Sequence, residues 1–304
     1  MDPIAAYKHS RQKLFDAAGI QPESRTINTN GPIRQVHYLK AGQGPPLLLL
    51  HGGGGHASEW IPLLKPLAQH FEVYAPDRPG CGLSDFFNYR GVDVQAHAVA
   101  FLQSFLDAAG LQRAVVAGHS MGGYFSVCFA LRHPERVQQL LLLGAPAGIN
   151  RWIPYLLRLL GTRGLNRLLL HTLARPSKQN AAFIHKQLLV AHPEQLSDAY
   201  LEHAYYSLLL PGSRKSFNTL LENVLSVGGW KKRLLVTGQL SSLQLPVGFL
   251  WGDRDAFERP ATGRAKAGTI PRHTFDVVAQ AGHALWLDQP EKTSQLLLAR
   301  LGVN

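Results

Sequence analysis

Short, continuous apolar runs that stop abruptly at glycine, proline or charged residues set the rhythm of this chain. Pro46-Leu47-Leu48-Leu49-Leu50 ends at His51-Gly52-Gly53-Gly54-Gly55, and residues 71–75 run into Asp77-Arg78-Pro79-Gly80. Residues 113–117, 139–143, 247–251 and 274–278 also read as strands. The continuous run at 46–50 predicts a strand buried on both faces of a mostly parallel sheet. Residues 33–39 alternate apolar and polar side chains instead, which predicts a half-buried strand. Between the runs, residues 93–109, 122–133 and 291–301 carry helical spacing, and Gly110 is placed to close the first of these helices. Strands alternating with helices imply right-handed crossovers and a sheet covered on both sides.

The alternation stops at about residue 146 and resumes at 243. Leucine-rich stretches with interspersed Arg and Lys fill the interval, and Ile153, Leu156, Leu157 and Leu160, then Leu165, Leu168, Leu169 and Thr172, fall at amphipathic helical spacing. The expected organisation is a core domain of residues 1–145 and 243–304 interrupted by a helical insertion over 146–242.

Composition narrows the class. A chain of 304 residues with 45% hydrophobic and 17% charged residues has the balance of a globular protein. No apolar run approaches the roughly 20 residues of a membrane span, so no integral span is expected. Asp2, Lys8, Arg11, Lys13 and Asp16 break the first twenty residues, leaving no uninterrupted apolar stretch of a secretory signal, and the expected location is cytoplasmic. The only cysteines, Cys81 and Cys128, are expected to be reduced packing residues. The net charge of +11 lacks a recognisable nucleic-acid module, and no nucleic-acid partner is expected. Residues 151–240 hold twelve Lys or Arg against Glu194, Asp198, Glu202 and Glu222. That surplus predicts attraction of anionic substrates or a weak contact with a negatively charged lipid surface, with a solvated helical face as the plain alternative.

The strongest chemical signal is Gly118-His119-Ser120-Met121-Gly122-Gly123, set between a predicted strand and a predicted helix. A sharp turn there lifts the serine hydroxyl clear of the sheet, and flanking glycines avoid clashes. Ser120 is the candidate nucleophile. Serine needs a neighbouring base, and Gln280-Ala281-Gly282-His283 supplies an imidazole after the last predicted strand. Trp251-Gly252-Asp253-Arg254-Asp255 follows the preceding strand and offers two carboxylates, one to orient that imidazole and one to form a turn. The N–H groups of Met121 and of the glycine run, Gly53 and Gly54, are candidates for an oxyanion hole. His119, Trp152 and Trp286 are candidates for the substrate pocket. The glycine run lacks the Gly-Lys-Ser/Thr ending of a nucleotide loop.

With four landmarks in order, His51-Gly52, Asp77-Arg78-Pro79-Gly80-Cys81-Gly82-Leu83-Ser84, residues 118–123 and Gly282-His283, the chain resembles the α/β-hydrolase superfamily over nearly its whole length. The resemblance implies an eight-stranded, mostly parallel sheet with flanking helices, and it makes 146–242 the helical cap over the site. It selects Asp255 over Asp253 as the acid, since in that family the acid usually stands three residues after the glycine ending the strand. Ser120 argues against the epoxide hydrolases and haloalkane dehalogenases of this fold, which use aspartate at that turn. The glycine run also looks like that of the carbon-carbon hydrolases of meta-ring-fission products, but those usually place tryptophan directly after the histidine, where this chain has Ala284. The resemblance therefore implies a carboxylesterase-like serine hydrolase acting on esters of small to medium apolar substrates without metal or organic cofactor. The alternatives are a carbon-carbon hydrolase and a non-catalytic ligand-binding protein of the same fold.

Overall fold

The computed structural model describes residues 2–166 and 176–303. Its centre is an eight-stranded sheet of β1 (Glu23–Asn28), β2 (Gln35–Ala41), β3 (Pro46–Leu50), β4 (Glu72–Pro76), β5 (Ala114–His119), β6 (Val137–Leu143), β9 (Val247–Gly252) and β10 (His273–Val278). The spatial order is β1-β2-β4-β3-β5-β6-β9-β10. The pairs β1/β2 and β2/β4 are antiparallel, and every other pair is parallel. β5 is buried along its whole length, as a continuous apolar run in the middle of a covered sheet must be.

Period two sorts the strand residues into two cores. Leu48, Leu50, Val116, Leu140, Leu142 and Phe249 face one cluster, with α3 (Val94–Ala108) and α4 (Met121–Arg132). Leu47, Leu49, Val115, Ala117, Leu141 and Leu250 face the other, with α2 (Ile61–Ala68) and the helix Pro290–Arg300. The architecture is the α/β-hydrolase fold. β1 was not foreseen: its burial follows no alternation, because it is a largely exposed edge strand held by its ladder to β2.

Between β6 and β9 the chain leaves the sheet. The described part of this segment contains the helices Tyr155–Leu160, Lys178–Ile184, Asp198–Leu208 and Ser213–Val224 and a small hairpin of β7 (Leu225–Ser226) and β8 (Gly229–Trp230). Leu156, Leu157 and Leu160 turn into a cavity beneath, while Leu168, Leu169 and Thr172 of the expected second amphipathic stretch lie outside the described residues. The leader is α1 (Pro3–Ala18), opened by the Asp2 side chain accepting the Ala5 N–H (2.9 Å) and closed by Gly19 at φ 62°. It packs on the helix Asp198–Leu208, where Ser10 Oγ meets His203 Nδ1 at 2.9 Å and Lys13 pairs with Glu202 at 2.8 Å. No helix among the described residues is long and apolar enough to cross a membrane.

Candidate active site

The C-terminal ends of five adjacent parallel strands meet at one edge of the sheet, where clefts form in this class of fold. Gly118 of β5 lies opposite Leu50 of β3 and Leu142 of β6, so the turn after β5 is flanked by the loops leaving β3 and β6. In that turn Ser120 adopts φ 51°, ψ −111°, one of only two non-glycine residues with positive φ among those described. Such a conformation costs about 1–3 kcal/mol and persists because its surroundings fix it. A Cβ at Gly118 would lie 2.7 Å from the Gly122 carbonyl oxygen, and one on Gly122 would collide with the carbonyl oxygens of Leu50 and His51. Those two glycines let α4 start directly against β3.

Beside this turn, His283 Nδ1 contacts Asp255 Oδ2 at 2.9 Å and Oδ1 at 3.1 Å, with both side chains fully buried. The Asp255 carboxylate also accepts the N–H of Ala145 (2.9 Å) and of Phe257 (2.8 Å), so four hydrogen-bonding contacts fix its plane. Asp253 accepts the Ala281 N–H at 3.1 Å and forms the turn, which separates the roles of the two aspartates. The Phe257 ring stacks on His283 with centroids 4.0 Å apart. His283 Nε2 is buried and has no hydrogen-bond partner among the described residues. Ser120 and His283 line the same cavity, but no hydrogen bond joins them in this structure. Contacts of this kind tighten when substrate is bound.

Gly53, Gly54 and Met121 also line the cavity, and no backbone hydrogen bond to a described residue occupies their N–H groups. Gly54 takes φ 71°, and Phe217 of the segment above packs on both glycines. The loop is held from below by Arg78, a fully buried cation. Its Nε donates to His51 O (3.0 Å) and its Nη2 to Gly52 O (2.6 Å), and the guanidinium sits over the Phe125 ring. The Arg78 N–H donates to His51 Nε2 (2.9 Å), leaving Nδ1–H to reach Gly52 O (2.9 Å). Burial, reinforced by Arg78, pushes the His51 pKa well below the usual histidine value and keeps the ring neutral in that tautomer. Burial alone would raise the Asp77 carboxyl. The His37 imidazole at 2.7 Å and the Ala57 N–H at 2.7 Å nevertheless hold it below the usual range.

The remaining expected pocket residues divide. His119 lines the cavity, but its ring lies 4.6 Å from His283 and 4.8 Å from Trp286, and its Nε2 reaches the His283 carbonyl oxygen at 3.2 Å. Burial, then His283, drives its pKa well down, so it is a neutral prop for the His283 loop. Trp152 lines the cavity mouth and is 51% exposed. Trp286 does not line the cavity; it stacks on Trp60 at 4.5 Å and donates Nε1–H to Glu59 O at 2.7 Å. A large amphipathic ring that has both an aromatic partner and a buried acceptor is held in the core. Sequence reading missed Arg78 as the anchor of the glycine loop, Phe257 and Phe217 as packing faces, and Glu59 within the cavity. Only Arg78 had a local signal, since it follows a strand end in a glycine-rich turn.

The cavity has a volume of about 200 Å³ and is largely apolar, with Leu156, Leu157, Leu160, Leu188, Leu221 and Val224 among its walls. No Lys or Arg lines it among the described residues, and none of these residues forms a His, Cys, Asp or Glu cluster suited to a metal ion.

A buried Asp-His pair beside a strained serine at a sheet edge, beneath an apolar cavity, is the arrangement of a hydrolase. Residues 45–290 match the family of the alpha/beta hydrolase fold, and the chain belongs to it. The chain is 30% identical over 289 residues to a 2-hydroxy-6-oxononadienedioate/2-hydroxy-6-oxononatrienedioate hydrolase of Paraburkholderia phymatum, covering 92% of this chain and 96% of the relative. It is 29% identical to a 2-hydroxy-6-oxo-6-phenylhexa-2,4-dienoate hydrolase of Burkholderia cepacia, covering 86% and 90%. Among solved structures, a carboxylesterase of Bacillus subtilis superposes with a TM-score of 0.79 at 21% identity over 99% of both chains.

Proposed function

We propose that the protein is a serine hydrolase that cleaves carboxylic esters of small to medium apolar substrates through an acyl-enzyme. The observation that carries this reading is the Asp255-His283 pair, fixed by two backbone N–H groups and buried with its Nε2 unpartnered at the cavity that also holds Ser120. Ser120 Oγ attacks the ester carbonyl as His283 Nε2 takes its proton. Asp255 keeps Nδ1–H in place and stabilises the imidazolium. The oxyanion falls to the N–H of Met121 and of Gly53 or Gly54, which Arg78 presents by pinning the carbonyls of the preceding turn. His283 returns the proton to the leaving alcohol, and water repeats the sequence to free the acid. The apolar walls fit an alkyl or aryl group.

Cleavage of a carbon-carbon bond is the second reading, favoured by the names of the relatives nearest 30% identity. Ala284, at the position after His283 where the carbon-carbon hydrolases usually carry tryptophan, keeps the ester first. A panel of p-nitrophenyl esters of increasing chain length, run beside a ring-fission dienoate, separates the two. Strong dienoate turnover with negligible ester hydrolysis reverses the ranking. Failure of a fluorophosphonate probe to label Ser120 in folded protein favours a third, non-catalytic binding reading.

A further inference from the structure

The cavity lining also carries polar side chains. Among them are Glu59, His56, His185 and Ser207, contributed by the turn after the glycine loop and by the segment above. Glu59 lies one turn beyond Gly55, and its carboxyl rests against the Gly55 Cα so closely that a Cβ there would collide with both oxygens. Its backbone is fixed by the Glu59 N–H to His56 O bond (3.0 Å) and by the Trp286 indole on its carbonyl. No hydrogen bond joins the carboxyl to a described residue. His56 is buried, with its Nδ1 unpartnered among the described residues, and packs edge-on against His203 at 4.8 Å. His185 Nδ1 donates to Ala181 O (2.8 Å), which leaves its Nε2 as an acceptor.

Resting on the reading that this cavity takes the substrate, we propose that Glu59, backed by His56 and His185, forms a hydrogen-bonding subsite for an oxo or hydroxyl oxygen on the substrate's chain. Polar side chains without internal partners at an otherwise apolar cavity favour an oxygen-bearing ligand, and His56 Nδ1 is buried without a partner among the described residues. An uncharged acceptor fits better than an ammonium group, because burial pushes the Glu59 carboxyl up to about 8 and so keeps it a protonated donor at neutral pH. Burial shifts the other groups facing it toward their neutral forms, Asp77 and Arg78 excepted. Burial raises Tyr7 from α1, Tyr200 from the helix above and Cys81, which rises to about 11. Burial lowers His56 to about 4 and also lowers His185 and His203. Asp77 stays ionised, and Arg78 is a permanent cation.

The test is titration calorimetry of the Ser120→Ala protein with N-phenyl amides of heptanoic acid and of its 4-, 5- and 6-oxo forms. At least one oxo amide is expected to bind about tenfold tighter than the parent at pH 6.5, the worth of one net hydrogen bond. That advantage fades as pH rises above about 8, when the carboxyl ionises and repels the oxygen. Adding Glu59→Gln keeps the advantage to pH 9, and adding Glu59→Leu removes it at every pH. Glu59 is the position that differs between these proteins, so the ratio of oxo to parent amide reports on it. Equal binding of oxo and parent amides, binding of neither, or an advantage that survives Glu59→Leu overturns the inference. Should the leucine variant fail to fold, the pH dependence with Glu59 and with Gln still decides. Because the readout is binding, ester turnover by the unsubstituted protein judges the serine hydrolase reading separately.

Discussion

The floor and the roof of the cavity are built on different physics. The floor consists of loops leaving β3, β5, β6, β9 and β10, and its anchors are hydrogen-bonded, from Arg78 under the glycine run to Asp255 under His283. The roof consists of helices such as Tyr155–Leu160, in which no residue is fully buried and which presents leucines to the cavity and Tyr155 to solvent. Buried, hydrogen-bonded loops hold a geometry to fractions of an ångström, as bond-making requires. Half-buried apolar helices tolerate substitution and supply shape. On this contrast, changes at the hydrogen-bonded anchors of the floor alter the rate constant, and changes in the roof alter which apolar chain is accepted.

Ser120→Ala carries the largest expected effect. Ester hydrolysis falls by roughly 10³-fold or more with the fold retained, since the residual rate comes from binding and oxyanion stabilisation alone. Steady-state kinetics beside circular dichroism measures this, and a variant within tenfold of the parent rate removes the serine from the mechanism.

Arg78→Leu follows. It strips two backbone carbonyls of their donors inside the floor, so stability is expected to drop by about 3 kcal/mol and kcat by about tenfold or more. Urea unfolding together with kcat checks both. A change confined to KM would place the glycine loop with the specificity elements and break the contrast.

Glu59→Gln comes next and depends on pH. The folded state keeps the Glu59 proton up to about 8, while the unfolded chain releases it near the ordinary glutamate value, so the folded state binds more protons across that window. Wild-type stability therefore falls as pH rises from 5 to 8, and the glutamine variant escapes that loss. The variant should gain about 4 kcal/mol relative to wild type between pH 5 and pH 9. Melting temperatures across that range decide it, and parallel curves for the two proteins exclude a protonated Glu59.

Leu157→Ala in the roof has the smallest expected effect. KM for an octanoyl ester rises by about three- to tenfold through lost apolar contact, with a smaller effect on the acetyl ester. An equal loss of kcat for both chains would mean that the roof also positions the reacting atoms.

Much of the fold was legible in the residues. The apolar runs at 46–50, 113–117 and 139–143 fall on β3, β5 and β6, and the strand-glycine-serine-glycine-helix order marks the turn at Ser120. Exposed β1 escaped because an edge strand on the solvent side needs no apolar alternation. Trp286, a candidate for the substrate pocket, instead stacks on Trp60 and lies behind the cavity-lining His119 and Glu59. Glu59 left no local signal, since a lone glutamate before a tryptophan has the form of any surface acid.

The sequence by itself determined the order of strands and helices, the tight turn that only glycine neighbours permit at Ser120, and the supply of one imidazole and two carboxylates after the right strands. These are local matters of period, steric bulk and position along the chain. Spacing alone left both aspartates open and the family resemblance named Asp255; tertiary structure decided that Asp253 ties the turn, that Arg78 reaches back under the glycine loop, and that Glu59 lines a cavity. Each of these depends on which distant segments share a low-dielectric space, and in such a space the same side chain changes its charge, its partner and its use.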